Sequence, residues 1–340
     1  MIIGRPFSIR DIKMKKYCPF IAVAIVLSVF SSCSNGNGGS SDDFVVGIAW
    51  TGAVDSGSLN NVQITLDSLG VKNVLLPEVV DSLLPYSNGI INSDCIDEND
   101  ILRQNYADIV KTRTYSHSNV TNAIKGINAV IFPGGEDIAP TLYNTPEPWH
   151  GIAAEKDYNA TRDISDYLLM TYCLDNEIPI LGICRGSQML GIVSKATVIQ
   201  DIPEWFKQQG LEYNFEHRNE KAESESYRDY APHTVNFTSG SILATLSEST
   251  EVVGCPSWHH QAVAGVDGTN LVVSGTTVVC GIEMIEGIER SDKKLAVGIQ
   301  YHPEAAYVKS VKKTGNAEQF MSKEQVATFF LNFIDRAKAL

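Results

Sequence analysis

The chain has 340 residues, 44% of them hydrophobic and 20% charged, an ordinary globular composition with length enough for one large domain or two small ones. Its formal net charge is −13, and removing the net +4 of the first 32 residues leaves −17. A surface that acidic argues against nucleic acid or anionic lipid as a partner.

Met14-Lys15-Lys16, an apolar run from Pro19 to Phe30 and then Ser31-Ser32-Cys33 supply the basic, apolar and small parts of a secretory signal. The run is too short to span a bilayer as a helix. With a cysteine directly after the small residues, the segment resembles a bacterial lipoprotein signal, which implies that Cys33 becomes the lipidated first residue of the mature chain. Phe30 stands where that signal usually carries Leu, and a plain secretory signal is the alternative. Met14 reads as the better start, leaving residues 1–13 as an extension of a 1–32 signal. Residues 33–43 are then a lipidated cysteine followed by a polar, glycine-rich tether, SNGNGGSSDD. Residues 44–340 are expected to be a single domain.

Asp43–Trp50 is a β-branched run that opens this domain. Leu59, Val62, Leu66 and Leu69 follow at helical spacing with Gly70 as a C-cap, and Asn73–Leu76 is the next strand. Strand, helix and strand at this distance predict a βαβ unit and a parallel sheet with helices on its faces. The pattern weakens from Asp81 to about Ser118, where a helix near Ile101–Lys111 is expected among loops. Asn128–Phe132 is a strand ending in Pro133-Gly134-Gly135-Glu136-Asp137. Ile164, Tyr167, Leu168 and Tyr172 mark an amphipathic helix that leads into Ile178–Gln188, IPILGICRGSQ.

That stretch is an apolar strand breaking into Gly182-Ile183-Cys184-Arg185-Gly186, a sharp strand-to-helix turn with Cys184 at its tip. The N-terminus of the following helix, which runs to about Val193, points free N–H groups at the sulfur and favours the thiolate that attacks carbonyls. Residues 205–232 read as a polar surface excursion. Strands are expected at His233–Phe237, Glu251–Gly254, Asn270–Ser274, Thr277–Ile285 and Leu295–Tyr301, and a final amphipathic helix at Ser322–Ala337. The fold class is therefore α/β: three layers, a mostly parallel central sheet with helices on both faces (flavodoxin-like), and a mainly antiparallel strand region in the C-terminal third.

A cysteine nucleophile needs a base within reach and a third group to orient that base. Of His117, His150, His217, His233, His259, His260 and His302, the last is preferred, because it ends a strand as Cys184 does and ligand chemistry gathers at the carboxyl ends of parallel strands. Glu304 lies two residues on and can turn back to the imidazole. The Gly134-Gly135 pair can turn its N–H groups outward as an oxyanion hole needs, or can be a plain tight turn. Gln188 is a substrate contact or an exposed helical residue. His259 and His260 invite a metal, but adjacent residues in an extended segment point to opposite sides, so one of them faces the cleft and no metal is expected. One of the pair is then a substrate or supporting contact and the other a buried, satisfied histidine. No CxxC pair is present, and Cys95, Cys173, Cys184, Cys255 and Cys280 form no disulfide framework. No cofactor is expected.

Leu181–Gln188 (LGICRGSQ), Pro133–Pro140 (PGGEDIAP), His259-His260-Gln261 and Gln300–Glu304 (QYHPE) together resemble class I glutamine amidotransferase-like domains. More narrowly, PGGEDIAPTLY, Arg162-Asp163, the Cys-Arg-Gly elbow and the His-His-Gln resemble the γ-glutamyl hydrolase branch, which includes γ-glutamyl-GABA hydrolases. The likeness runs from about residue 45 to 335. It implies that Cys184 attacks a γ-glutamyl side-chain amide, that His302 shuttles the proton and that Glu304 orients it. It further implies an oxyanion hole of the Gly135 and Arg185 backbone N–H groups, and substrate contacts at Gln188, His259, His260 and Gln261. Three departures bear on specificity: Ser194–Thr197 replaces a Gly-Gly pair before Gln200-Asp201, Pro256-Ser257-Trp258 precedes the His-His-Gln, and Cys280-Gly281 precedes Ile282-Glu283.

The function expected is an exported, membrane-tethered cysteine hydrolase of a small γ-glutamyl substrate, with the membrane met through its lipid alone. A non-catalytic lipoprotein that binds peptides or cell-wall fragments and a glutaminase module of an amidotransferase are the alternatives. Export and the lack of a phosphate-binding glycine loop weigh against the glutaminase. The leaving group is open, its choice resting on the loops at 78–120 and 205–232.

Overall fold

Apolar runs three or four residues long become the central strands, and the helical repeats between them become the covering layers. The structure, a computed structural model, describes residues 44–52, 57–146, 149, 151, 155–214, 217–218 and 229–340. The expectations for residues 1–43, the signal and Cys33 among them, lie outside the described residues. Asp42–Leu340 packs as one compact unit.

The first βαβ unit is β1 (Val46–Ile48), α1 (Gly57–Ser68) and β2 (Asn73–Leu75), with Val46 paired in parallel to Asn73. A small hairpin of β3 (Tyr86–Ser87) and β4 (Ile90–Ile91) follows, with α2 (Gln104–Lys111) and α3 (Val120–Ala123). Next come β5 (Ala129–Phe132), α4 (Ala160–Asp175), β6 (Ile180–Ile183), α5 (Arg185–Val193), β7 (Thr197–Ile199) and α6 (Ile202–Gln208). The last third holds β8 (Ala231–Phe237), α7 (Ile242–Ser247), β9 (Glu251–Ser257), β10 (Ala262–Gly265), β11 (Leu271–Val279), β12 (Ile282–Arg290), β13 (Ala296–Ile299), α8 (Pro303–Lys312) and α9 (Lys323–Lys338).

One nine-stranded sheet runs β2-β1-β5-β6-β13-β12-β11-β8-β9. Its first five strands are parallel, in the spatial order of a flavodoxin-like sheet, and the remaining four extend the same sheet with antiparallel pairings. Period-two alternation sends the side chains of a buried strand to opposite layers. Along β5, Val130 and Phe132 enter the core beneath α4 and α5, while Ala129 and Ile131 enter the core beneath α1 and α9. Among the described residues no helix is long and apolar enough to cross a membrane.

Three stretches depart from the sequence expectation. The strand expected at Thr277–Ile285 is a hairpin: Asn270–Ser274 and Thr277–Val279 belong to the single strand β11, and Cys280 and Gly281, at φ 48° and 80°, turn the chain into β12. A two-residue turn of this kind needs positive φ at both positions, and a cysteine at the first hides the usual Asn-Gly signal. The expected polar excursion at 205–232 begins inside α6, where the Asp201 carboxylate accepts from Glu204 N at 2.9 Å and Pro203 opens the first turn. Within that same excursion His217 is fully buried. The small antiparallel pair β7–β10, closing the chain beneath the His-His-Gln segment, was not foreseen.

Candidate active site

Cys184 sits between β6 and α5 at φ 51° and ψ −105°, a conformation that costs a side-chain-bearing residue roughly 1–3 kcal/mol. Its N–H donates to Ile299 O at 2.8 Å, and its own carbonyl accepts from Gln188 N at 3.0 Å to begin α5. The turn can be this tight because Gly186 has no side chain: a Cβ there would stand 2.2 Å from Phe132 O. Only 5% of Cys184 is exposed.

His302 is the N-cap of α8, so β13 and the capping turn hold the ring over the elbow. Its Nδ1 lies 2.7 Å from Glu304 Oε1, and the ring and Cys184 flank the same face of Gly134. A carboxylate only accepts, so Nδ1 carries a proton and Nε2 is left for the sulfur. Burial pulls the His302 pKa down, but the Glu304 carboxylate and Cys184 beside it overcome that and raise it from 6.5 to about 10. Glu304 is fully buried and also accepts from Ser58 Oγ at 3.3 Å, while Ser58 Oγ accepts from Gly134 N at 2.9 Å. Ser58 on α1 thus ties the orienting carboxylate to the Gly134-Gly135 turn.

That turn is set from below by Arg162. Gly135 has φ 150°, and the place of its missing Cβ is occupied by the Arg162 guanidinium at 1.8 Å. Arg162 Nη2 donates to Pro133 O at 3.1 Å and Gly134 O at 2.9 Å, holding both carbonyls inward. Among the described residues nothing accepts from Gly135 N. Arg162 also pairs with Glu136, whose carboxyl burial would push up but which Arg162 and Arg185 hold at about 2. The Arg185 side chain is wholly buried on Asp163 and Asp166, so it points away from the cleft and only its backbone faces the elbow.

The four expected substrate contacts are all buried and mostly occupied by the protein. Gln188 is 4% exposed, which removes the reading of an exposed helical residue, and its Nε2 donates to Gln261 O at 2.8 Å. Gln261 Oε1 accepts from Ile138 N at 3.4 Å. His259 and His260 do diverge, but both border the cleft, correcting the expectation that one would. His259 turns toward Glu286, 3.7 Å from Nε2. His260 is gripped by Asp201 at 3.2 Å and Asp137 at 2.9 Å; burial would lower its pKa, yet the two carboxylates raise it to about 9.

Cys184 lies where two lobes of one cleft meet. The first, of about 350 Å³, is lined by Glu136, Asp137, Asp157, Lys156, Arg218 and His260. The second, of about 270 Å³, is lined by Thr51, Ser58, Tyr230, Trp258 and His302. The arrangement presents a thiol, an imidazole held by a carboxylate and a free turn N–H to a single point, which is the equipment for acyl transfer.

Residues 107–304, more than half of the sequence, match the family model for Peptidase C26. The chain belongs to the Peptidase C26 family. It is 27% identical over 238 residues to a glutamine amidotransferase-like protein of Rickettsia prowazekii, covering 60% of this chain and 82% of that one. It is 30% identical over 185 residues to the protein NtpR of Enterococcus hirae, covering 54% and 70%. To a γ-glutamyl-γ-aminobutyrate hydrolase of Escherichia coli it is 28% identical over 220 residues, covering 57% and 82%. Among solved structures, a glutamine amidotransferase from Thermotoga maritima is similar at 14% identity, covering 87% of this chain and 98% of that one, with a TM-score of 0.47.

In this Peptidase C26 chain, sequence reasoning missed Ser58, the positioning role of Arg162, and Glu286. Ser58 carried no local signal at all. Arg162 stands in α4 after an Asn159 N-cap, and a cationic side chain on the helix face that packs against the sheet was the available clue.

Proposed function

We propose that this chain is a cysteine hydrolase that cleaves γ-glutamyl amide bonds. The observation that carries the reading is the convergence of Cys184, His302 and Glu304 with the outward-turned Gly135 at one point of a two-lobed cleft. The Cys184 thiol passes its proton to His302 Nε2 and its sulfur attacks the γ-carbonyl carbon, the oxygen taking up the electron pair against the Gly135 and Arg185 N–H groups. As the C–N bond breaks, His302 gives its Nε2 proton to the leaving amine and a thioester remains. Water then attacks the thioester with His302 taking its proton, the C–S bond breaks as that proton returns to the sulfur, glutamate is released and the thiol is regenerated. Glu304 holds the imidazole in the tautomer this requires.

The mixed charges of the first lobe, acidic at Glu136, Asp137 and Asp157 and basic at Lys156 and Arg218, suit the zwitterionic head of a glutamyl group. The second lobe, with Tyr230 and Trp258, suits the leaving group. Incubating the purified protein with a panel of γ-glutamyl amides and detecting products by mass tests the reading. Release of glutamate together with the free amine is expected; if none of the panel is cleaved and iodoacetamide fails to label Cys184, the reading is wrong.

Glu304→Gln sharpens the pH dependence. In the native protein the raised His302 pKa means that its charge interaction stabilises fully below pH 6.5 and is lost as pH rises through about 10. The basic limb of kcat/KM is expected near that upper value, and removing the carboxylate should move it to lower pH by at least roughly 1 unit. An unmoved limb in Glu304→Gln would separate the carboxylate from the imidazole.

The reading extends to an envelope lipoprotein anchored through Cys33, supported by the Met14–Cys33 pattern. Cys33→Ser should abolish labelling by a radioactive fatty acid and shift the protein out of the membrane fraction; retained label would refute the anchor.

A further inference from the structure

Beneath the first lobe lies a buried group of side chains that the chemistry above does not use. His217, His233 on β8, His259 and Glu286 on β12 come from four separate stretches of chain, and none is more than 9% exposed. Glu286 Oε1 is 3.1 Å from His217 Nε2 and 3.7 Å from His259 Nε2, and Glu286 Oε2 is 3.3 Å from His233 Nε2. Among the described residues no lysine or arginine pairs with Glu286, so a fully enclosed carboxylate has only imidazoles for company.

We propose that His217, His259 and Glu286 bind one divalent transition-metal ion, zinc by its donor preference, under the floor of the cleft. One ligand atom from each of the three lies within 4.8 Å of the others. Two ligands bonded to one tetrahedral zinc at about 2.0–2.1 Å stand roughly 3.4 Å apart, and the observed 3.1 and 3.7 Å straddle that separation. The decisive detail is His259. Its Nδ1 lies 2.9 Å from Gln261 O, a carbonyl that can only accept, so Nδ1 carries the proton and Nε2 turns a lone pair on the carboxylate. These two acceptors face each other at a distance too long for a hydrogen bond; Glu286 Oε1 is met by His217 Nε2 at 3.1 Å, and a cation in place of the proton between those two would satisfy all three atoms. Neither His259 Nε2 nor Glu286 Oε2 has a hydrogen-bond partner, and both nitrogens of His233 lack one as well.

The surroundings match the outer partners that ligating side chains keep. His259 Nδ1 is fixed by Gln261 O, His217 Nδ1 meets Tyr213 Oη at 3.2 Å, and His233 sits on the second carboxylate oxygen. Two imidazoles and one carboxylate form a donor set of zinc sites, with the fourth position left to water. From the sequence no metal is expected at His259-His260, because adjacent residues diverge; the fold supplies ligands to His259 from positions 42 residues before and 27 residues after. An ion here would pin the His217 segment and β12 to the His-His-Gln segment. That segment's Gln261 carbonyl receives Gln188 in the cleft wall.

Untagged protein, dialysed against a chelator and then given zinc or cobalt, tests the site. Elemental analysis should find about one zinc per chain, cobalt should raise the visible absorption bands of a tetrahedral ion, and zinc should restore several degrees of thermal midpoint lost to the chelator. Glu286→Gln and His217→Asn should weaken binding by roughly 10–100-fold, while His117→Asn, at an exposed histidine, should not. Folded wild type that holds no stoichiometric zinc, shows no cobalt bands and keeps its midpoint in chelator would overturn the proposal and leave a carboxylate shared among imidazoles. The readouts need no γ-glutamyl activity, so this result is independent of the hydrolase reading.

Discussion

Cys184→Ala is expected to lose at least about 10³-fold in turnover of any γ-glutamyl substrate the protein cleaves, with its thermal midpoint nearly unchanged. The nucleophile cannot be replaced, whereas the alanine fits a site already held by Ile299 O on one side and the first turn of α5 on the other. Cys184→Gly separates the two roles further. Glycine relieves the strain of φ 51° and ψ −105°, worth roughly 1–3 kcal/mol, against about 1 kcal/mol of added chain entropy in the unfolded state. The glycine variant should therefore be as inactive as the alanine variant and at least as stable, by denaturant midpoint. A glycine variant clearly less stable than the alanine one would mean that the elbow is not strained.

Arg162→Met is the substitution with the largest expected effect on stability. The guanidinium is 1% exposed and holds Glu136, Asp166 and the carbonyls of Pro133 and Gly134. Removing it leaves Glu136 without its cation and the Pro133 and Gly134 carbonyls without their donor, while Asp166 keeps Arg185; breaking a buried pair in this way commonly costs about 3–5 kcal/mol. Urea unfolding would read this, and a loss below about 1 kcal/mol would contradict it. Residual folded protein should show a lower kcat, since the Gly135 peptide loses the support that turns its N–H outward. Arg162→Lys should not rescue it, because one ammonium cannot make the forked contacts.

The elbow and the His-Pro-Glu segment were legible because each is local: a strand, a glycine turn and a capped helix start are written within a dozen residues. The partners of those segments were not. Ser58 reaches Glu304 across 246 positions of sequence, and His217 reaches Glu286 across 69. No periodicity records such meetings, which exist only once the sheet order has placed α1 beside α8 and β12 under the cleft. His217 was also misjudged because its neighbours are charged, and the polarity of a stretch says nothing about the one residue it buries. The parallel half of the sheet followed from βαβ spacing, while the hairpin at Cys280-Gly281 failed for lack of a turn residue that announces itself.

The position of β13 has a consequence for how this molecule comes into being. It is the last of the described strands in chain order, yet it lies in the middle of the sheet, and the five parallel strands and the four antiparallel ones meet only where it pairs with β6 and β12. Until Ala296–Ile299 arrives, the two halves each carry a bare edge of unpaired amides, the surface from which edge-to-edge aggregation starts. The same arrival brings His302 to Cys184. Closure of the sheet and appearance of a reactive thiol–imidazole pair are therefore one event, and a product that stops before β13 cannot display that chemistry.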